Sequence, residues 1–153
     1  MALIDQSVLI AAPVEQVWEY VHDASRRHEW DVRITRCSLL TDGPVAEGTR
    51  VRYSVRCIPG FPLPLTAHYA AFVPQRRAAI AFDDLPWWQL IESAVGAWHF
   101  RPVPEGTQFR SVFHYRLKCG PVGRWLDRTL FDRFVARETR RSLAILRRNL
   151  ESG

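Results

Sequence analysis

The sequence predicts one α+β domain, a curved antiparallel sheet of six to seven strands wrapped on a long C-terminal helix. Three observations carry this expectation. Apolar and polar residues alternate with period two in the middle of the chain, most clearly in TRVRYSVRC (49–57) and TQFRSVFHYRLKC (107–119). After Gly120-Pro121 the apolar residues change to helical spacing for roughly thirty residues. Between these blocks stand only short turn sequences, with no linker, repeat or low-complexity segment.

The elements follow in order. SVLIA (7–11) reads as a strand ending at Ala12-Pro13. Pro13 suits the first turn of a helix, where its missing N–H has no helical partner, and Glu15 favours the positive end of the helix dipole. Val14, Val17, Trp18 and Val21 recur at three- and four-residue spacing, so 13–22 is a short amphipathic helix. Asp23-Ala24-Ser25 breaks it, and a second short helical piece spans 25–30. Strands follow over 33–41 and 49–57, the second with Val51, Tyr53, Val55 and Cys57 on one face and arginines on the other. IPGFPLPL (58–65) reads as a proline-rich connector. Further strands are expected at 65–73, 78–83, 88–101 and 107–119, separated by turns at 74–77, 83–88 and Glu105-Gly106. The last element, 121–150, carries Val122, Trp125, Leu126, Leu130, Phe131, Phe134, Val135, Leu143, Leu146 and Leu150 on one stripe. At 1.5 Å per residue it is roughly 45 Å long, enough to cross a sheet of this size.

Composition bounds the function. The 153 residues suit one domain over 1–153, and 47% hydrophobic with 24% charged residues is globular rather than disordered. No stretch approaches the ~18 apolar residues of a membrane span, and MALIDQSVLIAAPVEQVW lacks a basic leader region, so the expected address is the cytoplasm. Cys37, Cys57 and Cys119 are odd in number and far apart, which suggests neither a disulfide framework nor a zinc site; they read as reduced, mostly buried thiols. No metal, nucleotide or flavin motif is present, and no cofactor is expected.

A long meander curls, and one straight helix does not fill its concave side at core density. The inward rows are aromatic but interrupted by small or polar residues: Tyr53, Tyr69, Ser111, Tyr115, and Gly96 beside Ala94. That is the composition either of a ligand pocket or of a filled core whose tyrosine hydroxyls reach the surface. Trp30, Trp98, Phe113, Phe131 and Phe134 complete the candidate wall. His114, His68 and His99 fall on the outward phase and Asp83-Asp84 has no base or nucleophile in register, so none is a strong catalytic candidate. Trp87-Trp88 and Phe61 lie in expected turns, as a gate or as turn packing.

Taken together, IAAPVEQVWEYVHDASRRHEWD (10–31), VRYSVR (51–56), Gly96-Ala97-Trp98-His99-Phe100, EGTQFRSVFHY (105–115) and ILRRNLE (145–151) resemble the START-like (SRPBCC) superfamily, within it the polyketide cyclase/dehydrase group. The resemblance spans nearly the whole chain. It implies a helix-grip fold with a deep pocket between sheet and C-terminal helix. It also implies a hydrophobic small-molecule ligand, carried or sensed, or else aromatase/cyclase or dehydratase chemistry on a carrier-bound polyketide. The hydroxyls of Tyr53, Ser111 and Tyr115 on the alternating strands favour aromatic or polyketide-like ligands over simple fatty acids. Twenty of 21 basic residues are arginine, and the net charge is +5. Eight arginines (124, 128, 133, 137, 140, 141, 147, 148) lie on the last helix, either as a solvated face or as a dock for an acidic acyl carrier protein or anionic membrane. Nucleic acid is disfavoured, because no aromatic platform is interleaved with them.

Overall fold

In a computed structural model, which describes residues 2–58, 61–83, 91–117 and 132–152, the alternating segments pair as one sheet. Strand β1 (Ala2–Ile10) leads into α1 (Val14–His22) and a 3₁₀ helix (Ala24–Glu29). Six strands follow: β2 (Ile34–Leu39), β3 (Arg50–Ile58), β4 (Phe61–Val73), β5 (Arg77–Phe82), β6 (Ile91–Val103) and β7 (Gly106–Leu117). Helix α2 (Asp132–Glu151) ends the chain. The spatial order β1-β7-β6-β5-β4-β3-β2 is antiparallel throughout, so the first strand completes the edge beside the last. Register shifts in β2, β4 and β6 bend the strands and sharpen the twist.

Local chemistry sets the element ends. Pro13 is the N-cap of α1, and its carbonyl accepts the Val17 N–H at 3.1 Å. Asp23 ends α1 and accepts the Ser25 N–H, which starts the 3₁₀ helix. Gly106 closes the β6–β7 hairpin at φ +141°, and a Cβ there would run into the Ile10 carbonyl. Glycine is therefore required where the hairpin abuts the end of β1.

Two expectations change, and part of a third lies outside the described residues. The 58–65 connector is strand: β4 begins at Phe61, with Pro62 and Pro64 opposite Arg56 and Ser54. Pairing with β5 begins only at Ala67, so among the described residues this stretch has one neighbouring strand and its missing N–H groups break no second ladder. The expected helix over 121–150 is described only from Asp132, and Trp87, Trp88, Trp125 and Phe131 lie outside the described residues. Within α2, Phe134 is 45% exposed rather than buried. The buried face runs through Val135, Thr139, Ser142, Leu143, Leu146 and Leu150, and Phe134 lies about 100° from Val135 around the axis.

Helix α2 lies on the inner face of the sheet. Leu143, Leu146 and Leu150 join Ile10, Val17, Val51 and Phe109 in the main core. Val135 packs instead with Ile4, Ala94 and Tyr115 in a second cluster. Polar contacts fix the C-terminal half: Ala11 N–H donates to Glu151, Val32 N–H to Ser142 Oγ, and Asn149 to the Tyr20 hydroxyl. No described helix is long and apolar enough to cross a membrane.

Candidate functional site

Between the two clusters the sheet and α2 separate around a cavity of about 140 Å³. Its floor is the inward row of the strands. Small residues on β6 and β7 make the room: Ala94, Gly96 and Ser111 stand among Trp98 and Phe113, with Trp98 opposite Ser111 and Gly96 opposite Phe113. A Cβ on Gly96 would meet only Phe113, at 3.8 Å. Tyr53, Leu65 and Ile80 extend the floor, and Val135, Thr139 and Leu143 of α2 form the roof. The lining also includes Phe134 and Arg56, both exposed, so the cavity opens to solvent on their side.

The end wall comes from the 3₁₀ helix and the residues after it. Arg27 is buried and donates from Nε (3.2 Å) and Nη2 (2.8 Å) to Asp31 Oδ2. Its guanidinium lies 4.6 Å from the Trp30 ring, 4.5 Å from Trp98 and 5.7 Å from Tyr53, so cation–π attraction offsets part of its desolvation. Asp31 Oδ1 accepts the Arg33 backbone N–H at 3.2 Å. Burial opposes the charge of both partners, but each holds the other ionised: Arg27 is raised above, and Asp31 lowered below, its ordinary pKa. Burial raises the Tyr53 phenol well above its ordinary value, against the pull of Arg27, which keeps it a neutral donor. Two lining residues each carry a polar atom that is shut off from the cavity as well as from solvent and has no hydrogen-bond partner, Trp30 Nε1 and Thr139 Oγ1. A protein interior rarely leaves such groups unmatched, since each costs about 1–3 kcal/mol.

Of the residues expected at a pocket, Trp30, Tyr53, Trp98, Ser111, Phe113 and Phe134 line this cavity. Tyr69 and Tyr115 do not. Tyr69 lies toward α1, with its ring 5.5 Å from Phe72 and 6.0 Å from His22, and burial pushes its phenol up to about 12. Tyr115 stacks on Phe113 at 5.6 Å in the cluster beyond the cavity. Inward phase places a residue on a face, but these two sit at opposite ends of it. Sequence reasoning missed the Arg27–Asp31 pair, whose signal is an i,i+4 opposite-charge spacing around Trp30. It also missed Thr139 and Ser142, two small polar residues interrupting the apolar stripe of α2. The described parts of the remaining candidates are outward: His68 pairs with Asp83, and His99 lies near Arg110 and Asp5. Burial pushes the Cys37 thiol up to about 11, so it is a weak nucleophile at neutral pH.

A curled seven-stranded sheet gripping a C-terminal helix around an apolar cavity defines a helix-grip domain for a hydrophobic small molecule. The family model for "Polyketide cyclase / dehydrase and lipid transport" matches residues 1–151, and the chain belongs to that family. Among solved structures it is similar to the Zhui aromatase/cyclase from Streptomyces sp. R1128, with TM-score 0.80 and 17% identity over 98% of this chain and 93% of that one. It is also similar to BexL, a di-domain aromatase/cyclase from the BE-7585A biosynthetic pathway, with TM-score 0.76 and 22% identity over 99% of this chain and 47% of that one. A Bacillus subtilis (strain 168) relative, YndG, described as an uncharacterized membrane protein, is 27% identical over 141 residues. The match covers 88% of this chain and 52% of that protein, so the chain spans about half the length of this curated relative.

Proposed function

We propose that the chain binds a planar, partly oxygenated aromatic or polyketide-like molecule in the cavity between sheet and α2. The observation that carries this is a wall of mainly apolar side chains, the rings of Trp98 and Phe113 among them, interrupted by the hydroxyl-bearing residues Tyr53 and Ser111. A ring bearing a carbonyl or phenol oxygen can stack on Trp98 or Phe113 while its oxygen meets a lining hydroxyl; a saturated chain cannot stack. The volume resembles that of engineered cavities of about 150 Å³ that take up benzene. The enclosed part of the ligand is therefore one or two rings, with any remainder at the Phe134 mouth.

A second reading, aromatase/cyclase chemistry, is favoured by the inward arginine. Arg27 would polarise a ligand carbonyl while Tyr53, held neutral, donates to the developing oxyanion. The exposed arginines of α2 (133, 137, 140, 141, 147, 148) would then dock an acidic carrier protein, or an anionic membrane in a transport role, in the cytoplasm. Salt should weaken that contact, and Arg137→Glu with Arg140→Glu and Arg141→Glu should abolish it.

The binding reading is tested by titrating 2-acetonaphthone and methyl decanoate, both uncharged, while following intrinsic tryptophan fluorescence, to which the lining residues Trp30 and Trp98 contribute. The ketone should bind more tightly, and Ser111→Trp should block it while the protein remains folded. Equal affinities, or full ketone binding by folded Ser111→Trp, would overturn it.

A further inference from the structure

We propose that the cavity is built for an organic acid: an aromatic body enclosed against Trp98 and Phe113, with its carboxylate at a mouth formed by Arg33 and Arg56. This rests on the ligand-binding reading above and adds the charge of the ligand.

The charge balance of the wall is the first ground. Three arginines are among the lining residues, Arg27, Arg33 and, at the exposed rim, Arg56, against one described carboxylate, Asp31. That carboxylate is already used. One oxygen takes both Arg27 donors and the other takes the Arg33 backbone N–H. The Arg33 side chain stands 3.8 Å from Asp31 Oδ1, beyond hydrogen-bond distance. Asp31, bonded to Arg27 and ion-paired at longer range with Arg33, supplies one negative charge against three positive ones, which leaves the Arg33–Arg56 side in excess. Arg33 is also partly withdrawn from water: its side chain is 25% exposed and its guanidinium lies 5.8 Å from the Phe113 ring. A cation beside an apolar wall acts on a ligand charge through less water, so its attraction is stronger than that of a surface arginine.

The polarity of the lining is the second ground. Arginine side chains only donate, the hydroxyls of Tyr53 and Ser111 donate as readily as they accept, and the one described carboxylate of the lining is already taken. Among the described residues the cavity is therefore rich in donors and poor in acceptors. An amine or a cation would meet donors and positive charge. An acid supplies acceptor oxygens and the missing negative charge together.

The test uses 2-naphthoic acid and methyl 2-naphthoate, which share a ring system and differ in charge. Each is titrated calorimetrically at neutral pH into wild type, Arg33→Gln, Arg56→Gln and the double variant, at about 50 and about 300 mM salt. Circular dichroism checks that each variant folds. Wild type should prefer the acid by about tenfold or more. Arg33→Gln should remove most of that preference while changing ester affinity by less than roughly twofold, and higher salt should narrow the gap. If Arg33→Gln fails to fold, Arg56→Glu must instead reduce the acid preference. An acid no tighter than its ester, or a preference that survives the folded double variant, would overturn the proposal while leaving the binding reading intact. Binding of neither probe would bring down both.

Discussion

Asp31→Ala is the most informative single perturbation of the end wall. The carboxylate is 3% exposed and is the hydrogen-bonded counter-ion of the buried Arg27 guanidinium. With charge centres about 4 Å apart and an effective dielectric of about 20, their gross attraction is about 4 kcal/mol. Desolvating two ions cancels much of that in the native protein, so the pair adds little net stability. Removing one partner differs, because the other ion stays buried without compensation. The expected loss is about 3–5 kcal/mol, at the upper end because the Arg33 N–H also loses its acceptor. That is a large share of the 5–15 kcal/mol typical of a domain. The aromatic faces of Trp30 and Trp98 stay in place and supply only part of the missing stabilisation. Arg27→Met should likewise destabilise, by stranding Asp31, whereas Arg27→Met with Asp31→Leu should recover most of the loss. Urea denaturation of wild type, both single variants and the double closes a mutant cycle, with a coupling energy expected above about 2 kcal/mol. A loss below about 1 kcal/mol for Asp31→Ala, or additive effects in the cycle, would refute the buried-pair account.

Three further outcomes are expected. His22 donates to the Trp18 carbonyl from within a cage of aromatic rings, and burial pulls its pKa from 6.5 to about 4. The unfolded chain therefore binds the extra proton first: the contribution is complete above about pH 6.5 and is lost as pH falls towards 4, about 2 kcal/mol by pH 5. His22→Phe should flatten that slope in denaturation curves at pH 5 and 8, and an unchanged slope would count against it. Leu146→Ala, at a side chain with 0% exposure, should cost about 2–5 kcal/mol, while Phe134→Ala at the 45% exposed mouth should cost less than about 1.5. Equal costs would place Phe134 in the core after all. Gly106→Ala should destabilise by more than about 1 kcal/mol, because its φ of +141° is unfavourable and the new Cβ meets the Ile10 carbonyl; thermal melts would show it.

Much of the fold was legible because local physics writes it into the chain. Period-two alternation over 49–57 marks Val51, Tyr53 and Val55 as inward whatever the sheet does elsewhere. Pro13 and the valine spacing mark α1, and the apolar stripe marks α2 with its buried Leu143, Leu146 and Leu150. The same periodicity misplaced Phe134. A stripe drawn over thirty residues spans more of the helix circumference than the sheet covers, so its margin residues become rim rather than core.

By itself, then, the sequence determined which elements form, which face of each turns inward, and that sheet and helix would enclose aromatic and small residues together. Only the tertiary structure decided where along that face the cavity lies. It brings Trp30, Trp98 and Thr139 around one cavity, leaves Tyr69 and Tyr115 outside its lining, and closes β1 against β7. It also buried Arg27 and Asp31, a pair that the sequence reading did not single out. Periodicity reports direction from the backbone over a few residues. A cavity is the volume left between elements distant in sequence, and a buried charge depends on partners brought to it by that same packing.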